Sequence, residues 1–529
     1  MVNKKKRSMF AAIALAAALV VSGCSEKANN EITFGKDDLK TIEPHGVYYE
    51  MFVRAFYDST GDGIGDFQGA ISKLDYLEDL GVEGIWLMPI NPTVSYHGYD
   101  VTDYMDVNPE HGTLDDFKEF VEEANKRGIK VIKDLVINHS SEQHPWFQAA
   151  LQDDETYRDY YVWADEHADT NQNGEWGQQV WHETENGYYE GVFWHGMPDL
   201  NIDNPKVREE IYEIGRFWLE EVGVDGFRLD AAKHIYSSYH GSDYQEKNHQ
   251  FWREFRAEME QANPDMVLVG EVWDSADVVA PYLDGGLHSA FNFDLSYKIL
   301  DSVKSEDDTS LITELERTRN YFNEMSEDFI DSTFITNHDM NRVMSEVNGN
   351  IDHAKMAASL LLTLPGNPYL YYGEEIGMDG AKPDEDIRLP MRWYEDPTDT
   401  GQTTWRTDQY HVGESGDSIT VEAQMQMEDS LLRHYKDLIY ARRSSEALIA
   451  GEIRSTNIRE GGILSFERVT DSEEKLVVHN LTSEMKEIEV GESLKDYQEY
   501  FFYIGDIEDL ELKDHVLKIP GYTTVILEK

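Results

Sequence analysis

From residue 46 to about residue 443 the chain alternates two patterns: short, nearly continuous apolar runs, and stretches whose apolar positions recur every three or four residues. The first pattern predicts buried strands and the second amphipathic helices. Leu114, Phe117, Val121 and Ala124 share one helical face between a starting Thr113 and a stopping Gly128, and "IKVIKDLVINH" follows as a strand. The same order recurs where "ISKLDYLEDLG" precedes "VEGIWLMP" and where "VREEIYEIGRFWLEEVG" precedes "VDGFRLD". Further strands are predicted at "GVYYEMFVRAF" (46–56), "MVLVGEVW" (266–273), "SAFNFDL" (289–295), "STFITNHD" (332–339) and "NPYLYYGEE" (367–375).

About eight strands separated by helices predict an α/β fold, a closed (β/α)8 TIM barrel. A doubly wound open sheet would place a glycine-rich phosphate turn after its first strand, whereas this chain has the acidic "YDSTGDGIGDFQG" there. Two segments break the rhythm. Residues 140–205 carry five tryptophans and many turn formers, which reads as a domain inserted after strand 3. Beyond 443, short strands such as "GGILSFERV" and "EKLVVHNLT" predict a C-terminal antiparallel β-sandwich, 443–529. The barrel then occupies 42–139 and 206–442.

The N-terminus reads as an address. Lys4 to Arg7 precede an apolar run from Met9 to Val21, too short for a normal membrane span, so residues 1–24 are expected to be a secretory signal. Its end, "VSGC", resembles a bacterial lipobox, which implies lipidation of Cys24, a solvated tether over 25–41 and an extracytoplasmic, membrane-anchored protein. Cys24 is the single cysteine, so no internal disulfide can form.

Composition narrows the partners. With 40% hydrophobic and 12% aromatic residues the chain can build a large core, and no disorder is expected. Its net charge of -57 excludes nucleic acid as a partner, since phosphate binding needs clustered cations. A neutral polyhydroxylated substrate is compatible with such a surface.

In a β/α barrel, chemistry collects at the carboxyl ends of the strands. Four predicted strands end in Asp134 with Asn138 and His139, Arg228 with Asp230, Glu271, and His338 with Asp339. Arg228 and Asp230, two apart, face the same way, and the guanidinium favours the ionised aspartate. Glu271, beside that negative charge, is expected to keep its proton. One ionised and one protonated carboxyl group are what retaining glycoside hydrolysis requires.

"DLVINH", "GFRLDAAKH", "GEVW" and "FITNHD", together with "MPDLN" (197–201), resemble the ordered signature regions of the α-amylase family of glycoside hydrolases, and the similarity runs from about residue 42 to the C-terminus. The resemblance implies Asp230 as nucleophile, Glu271 as general acid and base, and Asp339 as the carboxylate gripping the sugar hydroxyls. It also implies sugar contacts from Arg228, His139, His338, Arg342, Tyr99, Asp100 and His97, and leaving-group contacts from Lys233 and His234; Trp273 and Trp194 are the expected aromatic platforms.

"DSTGDGIGD" offers oxygens at Asp58, Thr60, Asp62, the Ile64 carbonyl and Asp66, a spacing that suits calcium, although the family usually has asparagine where Thr60 stands. A second Ca²⁺ site could use Asn138, Asp199 and the His234 carbonyl. "DAAKH" resembles members that cut α-1,4 bonds, whereas "DSTGDGIGDF", "MPDLN" and "RLPMRW" resemble the oligo-1,6-glucosidase and neopullulanase branches. The expectation is a monomeric, endo-acting α-amylase on starch and maltodextrins with some transglycosylation. The alternatives are an exo-acting α-glucosidase or oligo-1,6-glucosidase, a neopullulanase-like enzyme and, more remotely, a non-catalytic carbohydrate-binding lipoprotein.

Overall fold

The computed structural model describes residues 26–27, 32–396, 400–406, 419–491 and 494–529. The signal segment and Cys24 lie outside the described residues. Among the described residues no helix is long and apolar enough to cross a membrane.

Eight parallel strands form one sheet: β1 (Tyr48–Met51), β2 (Gly84–Leu87), β3 (Lys130–Leu135), β4 (Gly226–Leu229), β5 (Val267–Gly270), β6 (Ser289–Ala290), β7 (Ser332–Phe334) and β8 (Asn367–Tyr371). They pair in the order β7-β8-β1-β2-β3-β4-β5-β6. A parallel bridge between Phe291 and Ser332 joins β6 to β7 and closes the ring.

Alternation of side chains divides each strand between two environments. Tyr49, Met51, Ile85, Leu87, Phe227 and Leu229 pack outward beneath the helices. Tyr48, Trp86, Ile132, Val269, Phe291, Phe334 and Tyr369 fill the interior as a separate cluster. Tyr48 stacks on Tyr369 at 4.8 Å, and Phe291 meets Trp86 and Tyr369 at 5.0 Å. Gly84 is required by this filling, because a Cβ there would lie 2.3 Å from the Tyr48 ring. The same interior face carries Glu50, Asp134 and Arg228 toward the strand ends.

The helix predicted from Thr113 to Gly128 runs Leu114–Lys126, with Thr113 and Asp116 forming a reciprocal capping box and Gly128 at φ 72° beyond its end. Two predicted strands are shorter than expected. After Met51 the chain turns into a helical turn at Val53–Phe56, and after Ala290 it enters the helix Phe293–Ser305, capped by Asn292. In both cases apolar runs that look extended in sequence are buried helix starts.

Between β3 and β4 the insertion holds short helices at Pro145–Ala150 and Glu155–Arg158 and a hairpin of Trp181–Thr184 with Gly187–Glu190. The C-terminal part holds two antiparallel sheets. One has five strands in the order 452–455, 463–469, 474–480, 523–528, 499–504. The other contains 486–489, 516–519 and 511–513, and Glu26 and Lys27 pair with Leu512 and Glu511 at its edge. The expected solvated tether therefore includes a strand pairing, whose backbone hydrogen bonds offset the entropy of ordering it.

Phe291 sits at the closure point and in the middle of the interior cluster. Phe291→Ala is expected to lower stability by about 3–5 kcal/mol, read as a lowered urea midpoint of the barrel.

Candidate active site

Arg228 is the organising group at the barrel mouth. It projects from β4 into the interior and is 1% exposed. Its Nη1 lies 3.0 Å from Asp134 Oδ1 and 2.7 Å from Asp230 Oδ1, and its Nη2 lies 3.1 Å from Glu271 Oε2. One guanidinium thus holds three carboxyl groups from three neighbouring strand ends. Trp86 lies beneath it, 5.2 Å from ring centroid to Cζ.

Asp230 and Glu271 are joined a second way. Ala231 adopts a left-handed backbone, φ 49°, and its N–H donates to Glu271 Oε2 at 3.0 Å. A non-glycine residue pays strain in that region, and here the strain turns the amide after Asp230 toward the other acid.

Burial pushes Glu271 above the ordinary glutamate range; Arg228 opposes this, and Asp230 and Asp339 reinforce it. Burial also pushes Asp230 upward, with Arg228 opposing. The arginine therefore limits the rise at Asp230 rather than holding it at an ordinary aspartate value, as the sequence suggests. Behind both, burial raises Asp134 to about 7.

Asp339 occupies the opposite wall. It accepts from Arg388 Nη2 at 2.9 Å, and its Oδ2 lies 3.0 Å from His338 Nε2 as an ion pair. Burial raises its carboxyl, but His338 and Arg388 outweigh this and hold it well below the usual range. His338 also meets Glu50 Oε1 through Nδ1 at 2.5 Å and Tyr99 Oη through Nε2 at 2.6 Å. Burial disfavours the imidazolium, yet Asp339 and Glu50 raise it to about 9.

The remaining expected contacts divide. Tyr99 stacks on His338 at 5.7 Å, and His97 stacks on Tyr99 at 6.0 Å. His139 is lowered to about 4 by burial, and its Nε2–H donates to the Tyr99 carbonyl at 3.1 Å, so it serves the site as a neutral ring. Asp100 is buried; its Oδ1 accepts the hydroxyls of Thr93 and Ser95, and its Oδ2 has no hydrogen-bond partner among the described residues.

Arg342 is also turned away. It donates to the carbonyls of Ile387 and Tyr372 at 2.8 and 2.7 Å, packs over Tyr371 and is 1% exposed. Arg388, from the "RLPMRW" segment, supplies the cation to Asp339 in its place.

Beyond Glu271 a pocket of about 380 Å³ is lined by Ala231, Lys233, His234, Trp273, Phe193 and Trp176. Trp273 stacks on Phe293 at 4.3 Å and 7°, which fixes its exposed face. Trp176 of the insertion, more than half exposed, packs against Phe193 and His234. Trp194 packs on His195 and lines no part of this pocket, so Trp176 takes the place expected for it. Lys233 bridges Asp274 at 3.0 Å and Glu175 at 3.4 Å, tying the insertion to the barrel.

The residues of the two expected calcium sets carry the following hydrogen bonds. Asp58 accepts from the amides of Thr60, Gly61 and Gly63, and Asp66 accepts from Ser59 and from the Gly69 amide. Asp62 accepts from the Ile64 amide. At the second set, Asn138 donates directly to Asp199 at 3.0 Å, and Asp199 also accepts from the Val192 amide. Among the described residues no group of three or more His, Cys, Asp or Glu side chains is placed to hold a metal.

Sequence reasoning missed Glu50, Arg388 and Trp176. Glu50 and Arg388 each sit outside the signature regions; a charged residue inside an otherwise apolar strand was the available signal for Glu50.

Comparison with known proteins agrees with this geometry. The family profile for the α-amylase catalytic domain matches residues 50–451, and that for the α-amylase SusG C-terminal domain matches 463–526. Alpha-amylase 3 of Dictyoglomus thermophilum is 43% identical over 485 residues, covering 92% of this chain and 93% of that protein. A 4-alpha-glucanotransferase of Thermotoga neapolitana is 38% identical over 443 residues, covering 82% and 95%. The crystal structure of the alpha-amylase from H. orenii superposes with a TM-score of 0.85 at 43% identity, covering 92% of this chain and 100% of that one. The chain belongs to the α-amylase family of glycoside hydrolases and transglycosylases.

Proposed function

We propose that the protein is a retaining, endo-acting enzyme that hydrolyses α-1,4-glucosidic bonds in starch and maltodextrins and also transfers glucan chains. The observation that carries the reading is the pairing of Asp230 and Glu271 on a single guanidinium at the barrel mouth. Two carboxyl groups this close suit a double displacement, in which the second acts as nucleophile.

In the first step Glu271 gives its proton to the glycosidic oxygen while Asp230 attacks the anomeric carbon, and the C–O bond breaks with its electrons leaving on the protonated oxygen. In the second step Glu271 removes a proton from water or from a sugar hydroxyl, whose oxygen displaces Asp230 and restores the original anomeric configuration. Asp339, kept anionic by His338 and Arg388, accepts from hydroxyls of the reacting sugar and stabilises the positive charge that develops on its ring.

Transfer is supported by the aromatic pocket past Glu271, where Trp176 and Trp273 offer apolar faces to a departing or incoming sugar. It is supported as well by the similarity to a protein named 4-alpha-glucanotransferase. The intact set of three acids favours catalysis over the non-catalytic binding role. We further propose display outside the cytoplasm through a lipid on Cys24, and action as a monomer.

Four outcomes test these readings. Asp230→Asn and Glu271→Gln are each expected to lower reducing-sugar release from soluble starch by about 10³-fold or more while leaving the circular dichroism spectrum unchanged. Early long fragments from amylose would support endo action, whereas glucose alone would overturn it. Because burial raises Glu271, activity on starch is expected to persist above the ordinary glutamate pKa and to fall as pH rises through the raised value. That limb should vanish for maltosyl fluoride, whose leaving group needs no proton. Labelled palmitate should be incorporated into the native chain and not into Cys24→Ser.

A further inference from the structure

We propose that Glu50 is a positioning residue for Asp339, acting through the His338 ring. The inference rests on the reading of Asp339 as the carboxylate that holds the reacting sugar.

Glu50 belongs to β1 and shares the interior face of Tyr48, where the neighbouring filling is aromatic and aliphatic. It is 1% exposed. A carboxylate in such a place is costly unless it meets a cation or donors. Among the described residues its ion pair is with His338 Nδ1, at 2.5 Å. The other nitrogen of the same ring lies 3.0 Å from Asp339 Oδ2 and 2.6 Å from Tyr99 Oη.

A neutral imidazole has one donor and one acceptor; with its proton on Nδ1 toward Glu50 it would take the Tyr99 hydroxyl at Nε2 and turn a lone pair toward Asp339, whereas the imidazolium serves both carboxylates. Carboxylates at both ends of the ring therefore favour the imidazolium, and Glu50 is its partner on the side away from the sugar. Trp86 packs edge-on against the ring at 5.5 Å and keeps it in this line.

The surrounding charges do not substitute for Glu50. Asp134 and Asp230 face His338 from β3 and β4, on the pocket side, while Arg228 and Arg388 face Asp339. Glu374 and Tyr371, at the end of β8, lie near Glu50 itself, and Arg342 lies beside both. Replacing Glu50 by a neutral amide leaves Nδ1–H a carbonyl to meet but removes the charge that favours the cationic ring. The ring then loses its proton at lower pH, and a neutral ring whose remaining proton stays on Nδ1 presents a lone pair to Asp339.

The test uses the full-length chain, Glu50→Gln and Glu50→Asp. Imidazole ¹⁵N signals, with His338 assigned through His338→Asn, are followed from pH 5 to 9, and kcat/KM on soluble starch is measured over the same range. The native His338 should stay doubly protonated at pH 8, and that of E50Q should be neutral there. The ratio of E50Q to native kcat/KM should fall by about tenfold between pH 5.5 and pH 8, the size of effect expected of a misplaced charged contact, with E50D between the two.

A constant ratio across pH with unchanged His338 signals would reduce Glu50 to a packing partner and overturn the proposal. A native His338 already neutral at pH 7 would overturn it without any variant, so the outcome does not depend on E50Q folding. If the native chain cleaves no α-glucan, the proposed function fails while the ring titration still decides the role of Glu50.

Discussion

The contact between the buried Arg228 guanidinium and the carboxyl groups of Asp134, Asp230 and Glu271 is the constraint on which the site depends. Three acids cannot approach one another in a desolvated barrel mouth unless a cation stands between them. A guanidinium suits the position because its planar fork carries several donors and keeps its charge under burial. Removal of the arginine would leave like charges facing each other where water cannot screen them. The acids would then take up protons or move apart, and either change would abolish the difference in protonation that double displacement uses.

Everything else in the barrel serves to bring that contact into being. Closure between Phe291 and Ser332 turns strand ends far apart in sequence into a ring. The largely aromatic interior beneath them offers the charged layer few polar partners, so the charges satisfy one another. The left-handed Ala231 locks the second link between the acids. On the facing wall, His338 and Arg388 are to Asp339 what Arg228 is to Asp230, and their positive charge keeps one acid reliably anionic while its neighbours are pushed upward.

The acceptor side follows a different logic. There the insertion contributes Trp176, and Lys233 fastens it to the barrel through Glu175 and Asp274. Under the proposed function, an exposed tryptophan on a bridged loop would tolerate sugars of different linkage, because stacking reads the apolar face of a ring more than the pattern of its hydroxyls. The mixture of α-1,4-like and α-1,6-like sequence features has its physical counterpart in this adaptable wall next to a strictly built charge cluster.

The alternation of apolar runs and amphipathic stretches determined the barrel, its insertion and its C-terminal sheets, because burial periodicity is a local property of the chain. The short signature stretches likewise placed Asp230, Glu271 and Asp339, since strand-end residues in this architecture all face one mouth. Only the tertiary structure decided which charges meet. Arg342, three residues after Asp339, is turned onto backbone carbonyls, while Arg388, far along the chain, reaches the acid. Glu50 acquires its partner only when β8 brings β1 beside the end of β7. Pairing between side chains depends on distance in space, and sequence spacing constrains that distance only within a single element.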